Sequence, residues 1–187
     1  MRIGVYCGSF SPVHKGHINI VKKCLKQKLV DKVIIIATGS YWHKEELIDL
    51  NDRLNMLDFF ACDNIVIDRK HNEIPYTYEI FRKLKIEYPK DELFFIVGAD
   101  NLPRLNEWNH YEELLTYNFI VVRRGKIGPK QIDEYMILFN KSNYTILETK
   151  GNNASSTYIR NNLNDYRKIQ KMIHKNVYNY LIKINRP

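Results

Sequence analysis

Short runs of uninterrupted apolar residues alternate along the chain with longer stretches whose apolar residues recur every three to four positions. Ile3–Cys7, Lys32–Ala37, Leu93–Val97 and Phe119–Val122 are such runs, rich in Val, Ile and Phe and of strand length. That character predicts strands buried on both faces. Asn64–Ile67 and Tyr144–Leu147 are shorter strand-like segments. Between them, helical spacing places Ile18, Val21, Leu25 and Leu29 on one face with Cys24 beside them, and Leu50, Leu54, Leu57 and Phe60 on another. It continues from Thr77 through Ile80, Phe81, Leu84 and Ile86 until Pro89, in a short stretch holding Trp108 and Leu114-Leu115, and from about Pro129 to Phe139. Ile169, Ile173, Val177, Tyr180, Leu181 and Ile184 predict one last helix, covering the body over about 165–187.

Strand and helix alternating in this way predict an α/β fold: a Rossmann-like, doubly wound parallel sheet of five or six strands, a single domain over 1–187 with C-terminal helices. In such sheets ligands bind beyond the carboxyl ends of the strands, where strand order reverses. Gly8–His17, Thr38–Lys44 and Gly98–Asp100 each follow a strand, so the topology gathers them at one edge.

Composition changes this picture only in part. The chain has 187 residues and a formal net charge of +8. The basic balance suits small polyanions such as nucleotides, or nucleic acid. It is equally explained by a composition rich in Lys, Asn, Ile and Tyr, whose codons are rich in A and T. No run of five basic residues occurs, so no nucleic-acid partner is expected. No apolar run approaches the ~18 residues of a membrane span, and the N-terminus enters a strand without a secretory layout. The expected location is the cytoplasm, with no membrane partner. Cys7, Cys24 and Cys62 are odd in number and widely spaced, which supports neither a disulfide framework nor a zinc ribbon. All three are expected to be reduced and mostly buried.

The densest chemistry lies in Gly8-Ser9-Phe10-Ser11-Pro12-Val13-His14-Lys15-Gly16-His17. Glycine, serine and proline turn the chain past the first strand, and two histidines three apart share the first turn of a helix. Backbone N–H groups, the helix dipole and two imidazoles make an anion site there, most plausibly for phosphate; the same pair also reads as a helix cap with a core histidine. No third and fourth ligand stand at zinc spacing, so no metal site is expected. Neither a Walker lysine loop nor Gly-x-Gly-x-x-Gly is present. Further on, in Ala154-Ser155-Ser156-Thr157-Tyr158-Ile159-Arg160, a serine or threonine cap opens a short helix after Gly151-Asn152-Asn153, with Arg160 one turn along on the side of Ser156 and Thr157. Gly98 after a buried strand lets a ligand approach the backbone, and Asp100 can accept ribose hydroxyls.

Gly-Ser-Phe-x-Pro-x-His-x-Gly-His after a first strand resembles the nucleotidyltransferase superfamily, whose hallmark is the His-x-Gly-His turn. Within it, from Ile3 to about Leu163, the chain most resembles the bacterial nicotinate-nucleotide adenylyltransferases. The resemblance implies transfer of the adenylyl group of ATP to nicotinate mononucleotide, giving deamido-NAD and pyrophosphate, with Mg²⁺ carried by ATP. It implies catalytic roles for His14, His17, Lys44 and Arg160. It implies an ATP site of Gly8, Ser9, Phe10, His14, His17, Gly98, Asp100, Ser155, Ser156, Thr157 and Arg160, the serine motif holding the outer phosphates. For the mononucleotide it implies His43, Lys44, Thr77, Trp108 and Asn109, with the indole of Trp108 stacked on the cationic pyridine ring. The chain departs from the family at Ala154, where isoleucine is usual, at Tyr41-Trp42 in place of two prolines, at Pro75 in place of serine and at Cys7 in place of glycine.

The competing readings are pantetheine-phosphate adenylyltransferase, usually shorter and without the Gly-Ala-Asp…Trp segment, and a non-catalytic basic nucleotide- or RNA-binding module. A class I aminoacyl-tRNA synthetase shares the histidine motif, but this chain has no room for an anticodon-binding domain. A homo-oligomer is possible.

Overall fold

In the computed structural model, which describes residues 1–39, 47–124, 126–149 and 154–185, the apolar runs form six strands. These are β1 (Arg2–Gly8), β2 (Lys32–Ala37), β3 (Ile65–Asp68), β4 (Glu92–Gly98), β5 (Asn118–Arg123) and β6 (Tyr144–Glu148). All pair in parallel, in the order β3-β2-β1-β4-β5-β6. The chain winds outward from β1 to β3, returns to lay β4 on the other side of β1, and winds outward again. Strand order therefore reverses between β1 and β4, and the crevice above their carboxyl ends is where a ligand is received.

Helices cover both faces. On one face α1 (Lys15–Lys26), α2 (Leu50–Asp58), α6 (Ser156–Asn161), α7 (Tyr166–Ile169) and α8 (Lys175–Ile184) pack through Ile18, Val21, Leu54, Leu57, Ile159, Val177 and Leu181. On the other, α3 (Thr77–Glu87), a 3-10 segment (Ala99–Glu107), α4 (Tyr111–Leu114) and α5 (Pro129–Leu138) pack through Ile80, Phe81, Leu84, Leu102, Leu114 and Met136. The alternating strand residues feed the two cores separately: Ile35, Ile96 and Ile120 face the first, Ile34, Ile36, Phe95 and Val121 the second.

Several expectations are corrected. The single last helix is two, α7 and α8, because the chain between them leaves the helical path to serve α1. The Met172 carbonyl accepts the Lys15 N–H (2.8 Å) and the Gln170 carbonyl accepts Lys15 Nζ (2.9 Å). Ile86 is 75% exposed, turned away from the face that buries Leu84. Phe60 lies past the end of α2, and Trp108 ends the 3-10 segment rather than lying within a helix. Of the cysteines, Cys24 is buried but Cys62 is exposed, its thiol donating to Asn64 Oδ1.

Candidate active site

Residues 14–17 build the centre of the site out of the helix start itself. His14 is the N-cap of α1 and His17 stands three residues on. The His17 N–H donates to Nδ1 of His14 and the His14 N–H donates to Nδ1 of His17, both at 3.3 Å. This is a capping box made by two imidazoles, with the rings stacked 3.6 Å apart at 13°. Since each Nδ1 is an acceptor, each neutral ring carries its proton on Nε2, and the cap delivers two Nε2–H donors. Burial, then the charge of Arg124, pushes His14 down to about 4. Burial, His14 and Arg124 hold His17 well below the ordinary histidine range. Both are uncharged at neutral pH. Gly16 is required between them: a Cβ there would lie 2.9 Å from His14 Cε1 and 3.0 Å from its Nδ1.

The turn from Gly8 to Pro12 is held from two sides. Phe10 has a positive φ of 46° and is 2% exposed, its ring against Tyr6 (5.4 Å) and His17 (4.9 Å). Its side chain underlies the turn, so its expected place in the ATP pocket would be filled by its backbone. From α6, Ser156 Oγ donates to the Pro12 carbonyl (3.0 Å) and Arg160 Nη1 to the Ser11 carbonyl (2.5 Å). The two sequence-distant motifs thus meet, and Arg160 braces the turn in addition to any ligand role. Ser155 caps α6, accepting the Tyr158 N–H (3.4 Å), and Thr157 is exposed beside it.

Gly98 ends β4 next to the crevice. Asp100, exposed just beyond, grips Arg124: Nε donates to Oδ1 (2.7 Å) and Nη2 to Oδ2 (3.0 Å). A cavity of about 300 Å³ opens over α1, lined by Gly16, Asn19, Ile20 and Lys23, with His14, His17, Arg124, Thr149 and Ala154 around it. Such a volume is at the lower end of small-molecule sites.

On the opposite face of the sheet, Thr77 opens α3 half-buried, and Trp108 is half-buried against Phe95 (6.3 Å) with Asn109 exposed after it. Thr77, Trp108 and Asn109 therefore stand on one side of the sheet and the histidines on the other, with the β1/β4 crevice between. His43 and Lys44 lie outside the described residues, as do Tyr41-Trp42.

Two arginines escaped sequence reading. Arg124 stands directly after β5, at the same edge of the sheet as Gly8 and Gly98, the last residues of β1 and β4, and that place was its signal. Arg53, on α2, is 3% exposed and donates to the carbonyls of Ser9 (2.8 Å), Thr38 (2.7 Å) and Ile48 (2.9 Å). It joins the ends of β1 and β2 to the start of α2, and no sequence signal marks it. Burial pushes Cys7, at the carboxyl end of β1, up to about 12 with help from Asp68, so the thiol stays protonated. Among the described residues no three His, Cys, Asp or Glu side chains converge as metal ligands, and no helix is long and apolar enough to cross a membrane.

The cytidylyltransferase-like family model matches residues 5–162. A protein of Fusobacterium nucleatum described as a probable nicotinate-nucleotide adenylyltransferase is 38% identical over 185 residues, covering 95% of each chain. A protein of Carboxydothermus hydrogenoformans with the same description is 31% identical, covering 98% of this chain and 96% of its own. Among solved structures, the Plasmodium falciparum nicotinic acid mononucleotide adenylyltransferase complexed with NaAD superposes with a TM-score of 0.81 at 23% identity, covering 98% and 96% of the two chains. That likeness is one of fold.

Proposed function

The chain belongs to the cytidylyltransferase-like family and, within it, to the nicotinate-nucleotide adenylyltransferases, and from that premise we propose that it joins ATP to nicotinate mononucleotide, giving deamido-NAD and pyrophosphate. A phosphate oxygen of the mononucleotide attacks the α-phosphorus of ATP; the new P–O bond forms as the bond to the β-phosphate breaks, and pyrophosphate leaves. The attacking phosphate is already anionic, so neither a general base nor a covalent intermediate is needed. Catalysis consists of alignment and of stabilising charge that develops on the α-phosphate and the leaving group.

The reciprocal cap of His14 and His17 is the observation that carries this reading. Two neutral Nε2–H donors, fixed by the backbone at a helix start, suit the α-phosphate oxygens and need no reorganisation as charge builds. Arg160 and Ser156, docked on the same turn, would serve the β- and γ-phosphates, with Lys44 expected to join them. Asp100 would accept the ribose hydroxyls. Across the crevice, Trp108 would stack on the pyridine ring and Thr77 would hold its carboxylate, with Asn109 after Trp108 and His43 expected to join them. Magnesium enters as part of the ATP substrate, held by phosphate and water. The reading implies a cytoplasmic enzyme with small-molecule substrates.

Incubation with ATP, Mg²⁺ and, in turn, nicotinate mononucleotide, nicotinamide mononucleotide and phosphopantetheine, followed by mass spectrometry, tests it. Deamido-NAD from the first acceptor is the expected product; no product with any acceptor refutes the enzyme.

A further inference from the structure

Arg124 leaves β5 and leans across the end of β4 toward β1. Its guanidinium lies beside Gly98, where a Cβ would come within 2.9 Å of both Nε and Nη2. Its charge acts on His14, His17 and Tyr6 across the crevice that these residues border. It also lines the cavity that His14 and His17 line.

The manner in which Asp100 holds it matters. The carboxylate takes the guanidinium from the side, through Nε and Nη2. The end-on fork of Nη1 and the second Nη2 proton has no partner among the described residues. Arginine presents five N–H donors in a planar array, and the end-on pair matches two oxygens of a phosphate. The ion pair is also half exposed, with side-chain accessibilities of 45% and 53%. Exposed pairs of this kind add little to stability, so fold stability does not account for a chain that forgoes a Cβ at residue 98 to seat one.

We propose that Arg124 is a substrate-contacting residue that binds the phosphates of ATP through its end-on fork, oriented by Asp100, beside the donors of His14 and His17. The assignment rests on the adenylyl-transfer reading for the identity of the ligand. Arg124 then offers the site its end-on fork, whereas Arg160 directs Nη1 to the Ser11 carbonyl.

Titration of wild type, Arg124→Ala and Arg124→Lys with ATP and with adenosine, followed by NMR so that millimolar binding is read, tests the assignment. Arg124→Ala is expected to weaken ATP by about tenfold or more and to leave adenosine, which has no phosphate, unchanged. Arg124→Lys, a point charge without the fork, is expected to fall between. Unchanged ATP binding by Arg124→Ala, or an equal loss of ATP and adenosine, overturns the assignment, and thermal melting separates the latter from misfolding. If wild type makes no dinucleotide while Arg124→Ala still loses ATP alone, the adenylyl-transfer reading falls and the assignment stands. A wild type that binds no ATP overturns both.

Discussion

His14 and His17 each receive the other's backbone N–H on Nδ1, so one geometric device sets both the start of α1 and the tautomer of two imidazoles. On the proposed function, removing His17 would remove a donor at the reacting phosphorus. His17→Ala is expected to lower kcat by ~10²-fold or more, the scale of losing one such donor. Steady-state rates with saturating ATP measure it, and wild-type turnover in the variant would sink the role given to His17.

The same cap predicts a dependence of stability on pH. The folded-state pKa of His14 is about 4, against an ordinary 6.5. Between those values the unfolded chain binds the proton and the folded chain does not, so stability is present above about pH 6.5 and is lost as pH falls toward 4. The slope is ~1.4 kcal/mol per pH unit for each histidine so placed. His14→Asn keeps a capping side chain without the titrating ring, so its melting temperature should fall less than that of wild type between pH 7 and 5. Parallel profiles would show that His14 contributes nothing to the loss.

Gly16→Ala isolates the role of the glycine. Alanine in a helix normally gains up to ~1 kcal/mol over glycine. Here the added Cβ meets the His14 ring, which the cap and the stack prevent from turning away. Overpacking of this kind costs ~1–3 kcal/mol. The variant should therefore gain no thermal stability and should lose activity. A more stable, fully active Gly16→Ala enzyme would show that the ring moves freely.

Trp108 has one side on the core at Phe95 and the other turned outward. Trp108→Ala should raise KM for the mononucleotide well above any change in KM for ATP. The stacking at stake is worth ~0.5–2 kcal/mol, which is roughly two- to thirtyfold in affinity. A KM that stays put would return the indole to the core alone.

Arg53 holds three carbonyls from a site almost closed to water. Arg53→Met leaves those acceptors to rearrange or go unpaired, at ~1–3 kcal/mol for each that stays buried. A loss of at least ~2 kcal/mol in urea unfolding is expected, and Arg53→Lys should recover only part of it because an ammonium cannot span all three. An Arg53→Met protein as stable as wild type would remove Arg53 from the frame of the site.

Much of this was legible in the residues, for identifiable reasons. Buried parallel strands are continuous apolar runs, so β1, β2, β4 and β5 stand out, and with them the loops that follow. Histidines three apart at a helix start could be seen to share a turn, though their mutual cap could not, because it depends on backbone direction. The apolar spacing of Ile169, Ile173 and Val177 continues through a break in the helix. That break exists because Lys15, far away in sequence, needs the Gln170 and Met172 carbonyls. Arg53 looks like any surface arginine until tertiary structure buries it, and Arg124 is marked only by its place after β5 until the fold sets it against Gly98.

The two-histidine cap also binds catalysis to folding. Its donors exist only while the first turn of α1 is wound, and that turn is anchored by the Met172 carbonyl from the chain between α7 and α8. A chain frayed at its C-terminal end would keep its sheet and still be inert, since loosening that anchor disarms the imidazoles before any strand separates. Loss of turnover on heating should therefore precede loss of β-structure, because the imidazoles depend on a segment between two helices that lies outside the sheet.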